Sequence, residues 1–172
     1  ALGFIAGFTG KAIEDGLASQ GIHTDFIHLP EGNSRINVKV KHGDETEING
    51  QGPVITDEAI NGLFAKLDTL TKDIPDDEKP TVYPGAVSWS GGHGFTGTYV
   101  NYAPLEAIHA ISLPDELNAD SGVEVSMEQI LEWDPDVIFL NPGNMNLVNE
   151  DYAANPDAID SLTAVQNGRV YA

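Results

Sequence analysis

The sequence predicts an α/β protein: Rossmann-like, three-layer packing around a mostly parallel sheet, with an antiparallel hairpin in its N-terminal part. Three observations carry this. Short apolar runs alternate with helix-periodic segments along most of the chain. One stretch, residues 34–41, shows strict period-2 alternation. A further run, residues 136–140, is continuously apolar, as strands buried on both faces of a parallel sheet are.

Taken in order, residues 1–6 read as a short strand ending at Gly7, and residues 10–17 as a helix through the spacing of Ile13 and Leu17, stopped at Gln20-Gly21. Residues 24–29 supply a second strand and close a small β-α-β unit. Next, Ile36, Val38 and Val40 fall on one face of a strand with Arg35, Asn37, Lys39 and Lys41 on the other, and Gly43-Asp44 turns it back into residues 45–48. Thr56 suits the N-cap of a helix whose first turn holds Asp57 and Glu58, where negative charge complements the helix dipole. Its apolar stripe is Ile60, Leu63, Phe64, Leu67 and Leu70.

Residues 73–80 cannot continue that helix, because Pro75 and Pro80 and four acids interrupt it; they form the expected linker. The expected domains are therefore 1–72 and 73–172. Beyond the linker, residues 81–87 read as a strand, residues 90–97 as a glycine-rich loop and residues 105–111 as a helical patch. Ser126 and Gln129 fit a capping box, and Val125 with Ile130 a hydrophobic staple, for a helix ended by Trp133-Asp134-Pro135. The apolar strand 136–140 leads into Asn141-Pro142-Gly143-Asn144, a loop at a strand's carboxyl end, where open α/β sheets bind ligands.

Composition narrows the function. Against 27 acidic residues stand 8 basic ones, a formal charge of −19, which repels nucleic acid and anionic lipid. Neither nucleic-acid binding nor membrane insertion is expected, and the opening residues show no basic leader and no run of ~18 apolar residues. Cysteine is absent, which excludes thiolate catalysis and zinc-thiolate sites. The Gly92-His93-Gly94-Phe95-Thr96-Gly97 segment matches the dinucleotide fingerprint formally, but Pro104 interrupts the helix that fingerprint requires.

Residues 3–10, 21–26, 34–39 and 46–53, including Arg35-Ile36-Asn37-Val38-Lys39 and Asn49-Gly50-Gln51-Gly52-Pro53, resemble the 1-phosphofructokinases and tagatose-6-phosphate kinases of the ribokinase-like carbohydrate kinases. The resemblance covers residues 1–66 and implies a phosphosugar site to which Arg35, Asn37 and Lys39 contribute, with ATP as phosphoryl donor and magnesium as cofactor. A guanidinium and an ammonium on one strand face suit a dianion. They equally suit the wet face of an antiparallel strand. The catalytic Gly-x-Gly-Asp segment of that family does not occur here, so no catalytic residue is assigned and no phosphoryl transfer is expected.

Residues 73–83, 87–94, 125–139 and 164–171 resemble the C-terminal lobe of the substrate-binding proteins of ABC importers for iron-siderophores and cobalamin. This resemblance implies a non-catalytic solute-binding module without a cofactor, and a composite chain, engineered or recombinant. Its ligand would be a metal chelate or corrinoid, met by Ser88, Trp89, His93, Phe95, Tyr99 and Tyr102. Its partner would be the importer permease, docked through Glu128. The location would be extracytoplasmic, against cytoplasmic for a kinase. Glu128 also has the plain role of a first-turn acid. His93 stands alone as a metal ligand, since no second ligand lies at suitable spacing, and it also suits a hydrogen-bonded surface role.

Overall fold

The structure, a computed structural model, describes residues 1–42 and 44–172, with side chains described for all but residues 40–46. Two compact units divide the chain, Ala1–Thr69 and Leu70–Ala172.

In the first unit, β1 (Phe4–Ala6) runs parallel to β2 (Ile27–Leu29), joined by α1 (Gly7–Ser19). The helix starts at Gly7, three residues earlier than its apolar spacing suggests, because Ala6 in extended conformation serves as the N-cap. Ser34 ties this corner together: its hydroxyl accepts from the Ala6 amide at 3.0 Å and its carbonyl from the Thr9 hydroxyl at 2.8 Å. The alternating stretch forms an antiparallel hairpin of β3 (Asn37–His42) and β4 (Asp44–Asn49), in register from Asn37 opposite Asn49 to His42 opposite Asp44. The expected Gly43-Asp44 turn lies outside the described residues. The apolar side chains of this hairpin stay open to solvent, Ile36 at 52%, Val38 at 47% and Ile48 at 61%. α2 (Asp57–Thr71) follows, with the Thr56 hydroxyl accepting from the Ala59 amide, and none of its residues is fully buried.

The second unit is built on a four-stranded parallel sheet in the order β10-β9-β5-β7. These strands are β5 (Thr81–Gly85), β7 (Ile111–Ser112), β9 (Val137–Leu140) and β10 (Val170–Tyr171). A short antiparallel pair, β6 (Gly97–Tyr99) with β8 (Gly122–Glu124), lies outside that sheet. The helices are α3 (Ala103–Glu106), α4 (Met127–Trp133), α5 (Met145–Ala154), α6 (Pro156–Asp160) and α7 (Thr163–Gln166). The core gathers Tyr83 and Ile138 from the strands with Ile130, Val148, Ile159 and Leu162 from the helices.

Two expectations are corrected. The helical patch at 105–111 is α3 followed by a strand: Pro104 sets its first turn, and His109, at φ 51°, bends the chain into β7. The apolar run at 136–140 is covered on one face only, for Ile138 and Leu140 are buried whereas Phe139 is 42% exposed beside Tyr171. Within residues 73–80, Asp76–Glu78 make a 3-10 turn. As expected, Ser126 caps α4 by accepting from the Gln129 amide at 3.1 Å. That helix ends where Asp134 adopts a left-handed conformation and accepts from both the amide and the hydroxyl of Thr163 at 2.7 Å.

Candidate functional site

The carboxyl ends of β5 and β9 open into a shallow cavity of about 270 Å³, lined by Pro84, Gly85, Val87, Tyr102, Phe139 and Asn141 among others. Its position follows from the topology: in a parallel sheet, the loops leaving adjacent strands at their carboxyl ends diverge and leave a crevice.

The loop after β5 is pinned from beneath. Ala86 turns with φ 57°, the Tyr83 hydroxyl donates to the Phe95 carbonyl at 2.8 Å, and the Thr98 hydroxyl donates to the Pro84 carbonyl at 2.7 Å. Burial, aided by the nearby Glu124 and Asp151 carboxylates, pushes the Tyr83 phenol well above its ordinary value, so it remains a neutral donor. The Phe95 amide donates to Asp151 at 2.6 Å. Asn144, itself buried, donates to the Ala86 carbonyl at 2.7 Å and the Ser88 hydroxyl at 2.8 Å, while the Asn141 side chain reaches Ser88 at 3.3 Å. A buried amide of this kind fixes loop geometry, because breaking one bond would leave a desolvated group unpaired.

The six loop residues expected to face a ligand do not share one environment. Phe95 is 2% exposed and packs against Tyr83 in the core, because both backbone polar groups of that residue are bound inward. Trp89 and His93 stack face to face, centroids 3.4 Å apart and 4° from parallel. The other indole face lies on Gly122, where an added Cβ would stand 2.1 Å from the ring. His93 places Nδ1 2.6 Å from Glu124 and Nε2 3.0 Å from the Trp89 carbonyl, and Thr96 donates to the same carboxylate at 2.7 Å. Trp89 and His93 therefore brace the loop, with both ring nitrogens of the histidine engaged by the protein. Ser88 is exposed, and Tyr99 and Tyr102 are half-buried with ring centroids 6.2 Å apart. Of these three, Tyr102 lines the cavity together with Phe139 and Asn141. Sequence reasoning did not select Phe139, Asn141 or Asn144 individually, although the loop 141–144 was marked by its place after an apolar strand.

Elsewhere, Glu128 is exposed in the first turn of α4. On the hairpin, the Arg35 Nε donates to the Asn37 side chain at 2.8 Å, and Lys39 pairs with Glu47 directly across the strands at 2.5 Å. Among the described residues, no group of three His, Cys, Asp or Glu side chains could hold a metal ion, and no helix is long and apolar enough to cross a membrane.

The family model of the periplasmic binding proteins matches residues 56–172, more than half the chain. The chain belongs to that family. A second kinship runs alongside: the 1-phosphofructokinase of Bacillus subtilis is 49% identical over 70 residues, covering 41% of this chain and 23% of the kinase. The chain spans between 23% and 29% of the length of the curated relatives it matches. Among solved structures, the molybdate periplasmic binding protein MolA of Haemophilus influenzae is 13% identical with a TM-score of 0.49, covering 99% of this chain and 56% of its own. The iron-uptake system-binding protein FeuA of Bacillus subtilis is 19% identical with a TM-score of 0.44, covering 65% and 43%. The periplasmic binding protein domain and the kinase kinship together agree with a composite chain.

Proposed function

We propose that residues 70–172 act as one ligand-binding lobe of an importer's solute-binding protein, taking a corrinoid or a metal chelate at the carboxyl ends of β5 and β9. The observation that carries this reading is the cavity there, with Tyr102 and Phe139 as apolar faces and Asn141, whose side chain also reaches Ser88, as a polar tip. Such a mixture suits a flat, polar-edged macrocycle or chelate. The formal charge of −19 favours a neutral or cationic ligand over a polyanionic one. In this reading Tyr99 supports Tyr102 by edge contact, and Trp89 and His93 hold the loop rather than touch the ligand. Glu128 docks on a basic pocket of a permease, which places the protein outside the cytoplasm.

Cyanocobalamin, which is neutral, and ferrioxamine B, a cationic ferric trihydroxamate, titrated separately and followed by absorbance, test the proposal. One of them is expected to bind saturably, with Tyr102→Ala weakening it by about tenfold, the scale of one aromatic contact. Absence of saturable change with both rejects the ligand class. The phosphosugar reading of Arg35, Asn37 and Lys39 has less support, because Arg35 is held by Asn37 and Lys39 by Glu47.

A further inference from the structure

Trp89 and His93 meet within the loop that leaves β5, and the β6–β8 ladder is shaped to receive them. An added Cβ on Gly97 of β6 would stand 2.3 Å from the His93 Cβ, and one on Gly122 of β8 would stand 2.1 Å from the indole. The stack, with centroids 3.4 Å apart, therefore needs glycine at both places. Gly97 pairs with Glu124 across that ladder, which brings the carboxylate to the histidine. On the other side of Trp89, Ser88 is bonded to Asn144 at 2.8 Å and to Asn141 of the cavity at 3.3 Å.

Both ring nitrogens of His93 face acceptors: Nδ1 the Glu124 carboxylate at 2.6 Å, and Nε2 the Trp89 carbonyl at 3.0 Å. An imidazolium has a hydrogen on each nitrogen and makes both bonds, whereas a neutral imidazole has one hydrogen and makes one bond. The carboxylate is the stronger acceptor and keeps that hydrogen, so a lone pair on Nε2 then confronts the Trp89 carbonyl. The bond lost is the one that closes the turn from Trp89 to His93, in which Ser90 is held at φ 45°, a conformation uncommon outside glycine.

The charged groups around the pair are acids. β8 contributes Glu124, which also accepts from Thr96 at the start of β6, and α5 contributes Asp151, which would stand 2.0 Å from a Cβ on the adjoining Gly94. Tyr83 of β5 is a neutral donor. Among the described residues, His93 is the one basic side chain on the loops leaving the carboxyl ends of the parallel sheet. Lys79, His109 and Arg169 stand immediately before β5, β7 and β10, at its amino end, and Lys72 comes before Lys79. We propose that His93 and Glu124 form a proton-operated latch on this loop, closed while His93 is an imidazolium and released as pH rises through the range in which histidine loses its charge. Release opens the stack and takes away the brace of Ser88. As regulation of the cavity this rests on the ligand-binding reading above, whereas the latch itself needs no ligand.

The full chain labelled with fluorotryptophan carries two fluorine resonances, one from each indole, and Trp133→Phe or Trp89→Phe assigns them. The shift of each resonance between light and heavy water reads the exposure of that indole, followed without ligand from about pH 5.5 to about pH 8.5. For Trp89 it is expected to grow with pH, following an open-to-closed ratio that one hydrogen bond changes by about two- to tenfold, while Trp133 stays constant. Glu124→Gln is expected to keep Trp89 covered throughout. Its amide donates to Nδ1, while neutral His93 keeps a hydrogen on Nε2 for the Trp89 carbonyl. His93→Gln is expected to give a level profile. A level wild-type profile, or a rise with pH retained in Glu124→Gln or in His93→Gln, overturns the proposal. None of these outcomes depends on whether cyanocobalamin or ferrioxamine B binds.

Discussion

The two units use the same β-α-β grammar and reach different degrees of completion. Residues 70–172 close a four-stranded parallel sheet over a core in which Tyr83, Ile130 and Ile138 are wholly buried, whereas residues 1–69 carry two parallel strands and a hairpin whose Ile36, Val38 and Ile48 face solvent. A parallel sheet acquires an interior when its central strands find a neighbour on each edge, as β5 and β9 do, and helices pack over it. The contrast teaches that local pattern makes elements, while the number of neighbours each strand finds decides whether those elements acquire an interior.

The strongest way to break this comparison is to remove the centre of the larger core. Tyr83→Ala deletes a ring at 0% exposure and the donor to the Phe95 carbonyl, and is expected to cost the second unit about 3–5 kcal/mol, read as a shift in urea midpoint. A loss under about 1 kcal/mol would show that the core is looser than its burial implies. Next in size is Asp134→Asn, which keeps a residue tolerant of the left-handed conformation and weakens the two bonds to Thr163, for an expected loss of about 1 kcal/mol at neutral pH given its exposure. The Thr163 amide, then the Thr163 hydroxyl, hold the Asp134 carboxyl below its ordinary value. A carboxyl depressed by folding stabilises above its unfolded value and loses that contribution as pH falls through the folded one. Wild type and variant should therefore converge in acid, and a gap unchanged by pH would assign the effect to shape. The smallest effect belongs to the other unit: Val38→Thr, on the open hairpin, should move stability by no more than about 0.5 kcal/mol. A much larger loss would mean that the hairpin is covered in solution.

The sequence disclosed the elements with long or strict periodicity: the hairpin by alternation, α2 by its stripe, and α4 by Ser126. What escaped it was short. β6, β8 and β10 are two or three residues long and exist through their partners, so Gly97-Thr98-Tyr99 carries no signal until Gly122-Val123-Glu124 lies beside it. The site was legible in place and less so in role. An aromatic in a glycine-rich loop looks available to a ligand, yet Phe95 is drawn inward by Tyr83 and Asp151, both distant in sequence. Asn144 escaped for the same reason, since its value lies in reaching Ala86 and Ser88 across the strand ends.

The stack of Trp89 on His93 has an optical consequence. The chain has two tryptophans, and both stand in the second unit, Trp89 in that stack and Trp133 against Tyr83. Emission excited at the red edge of indole absorption thus follows residues 70–172 alone, while far-ultraviolet dichroism sums helices from both units. Superimposed on one denaturation, the two signals distinguish a chain that melts as a whole from one whose halves come apart separately.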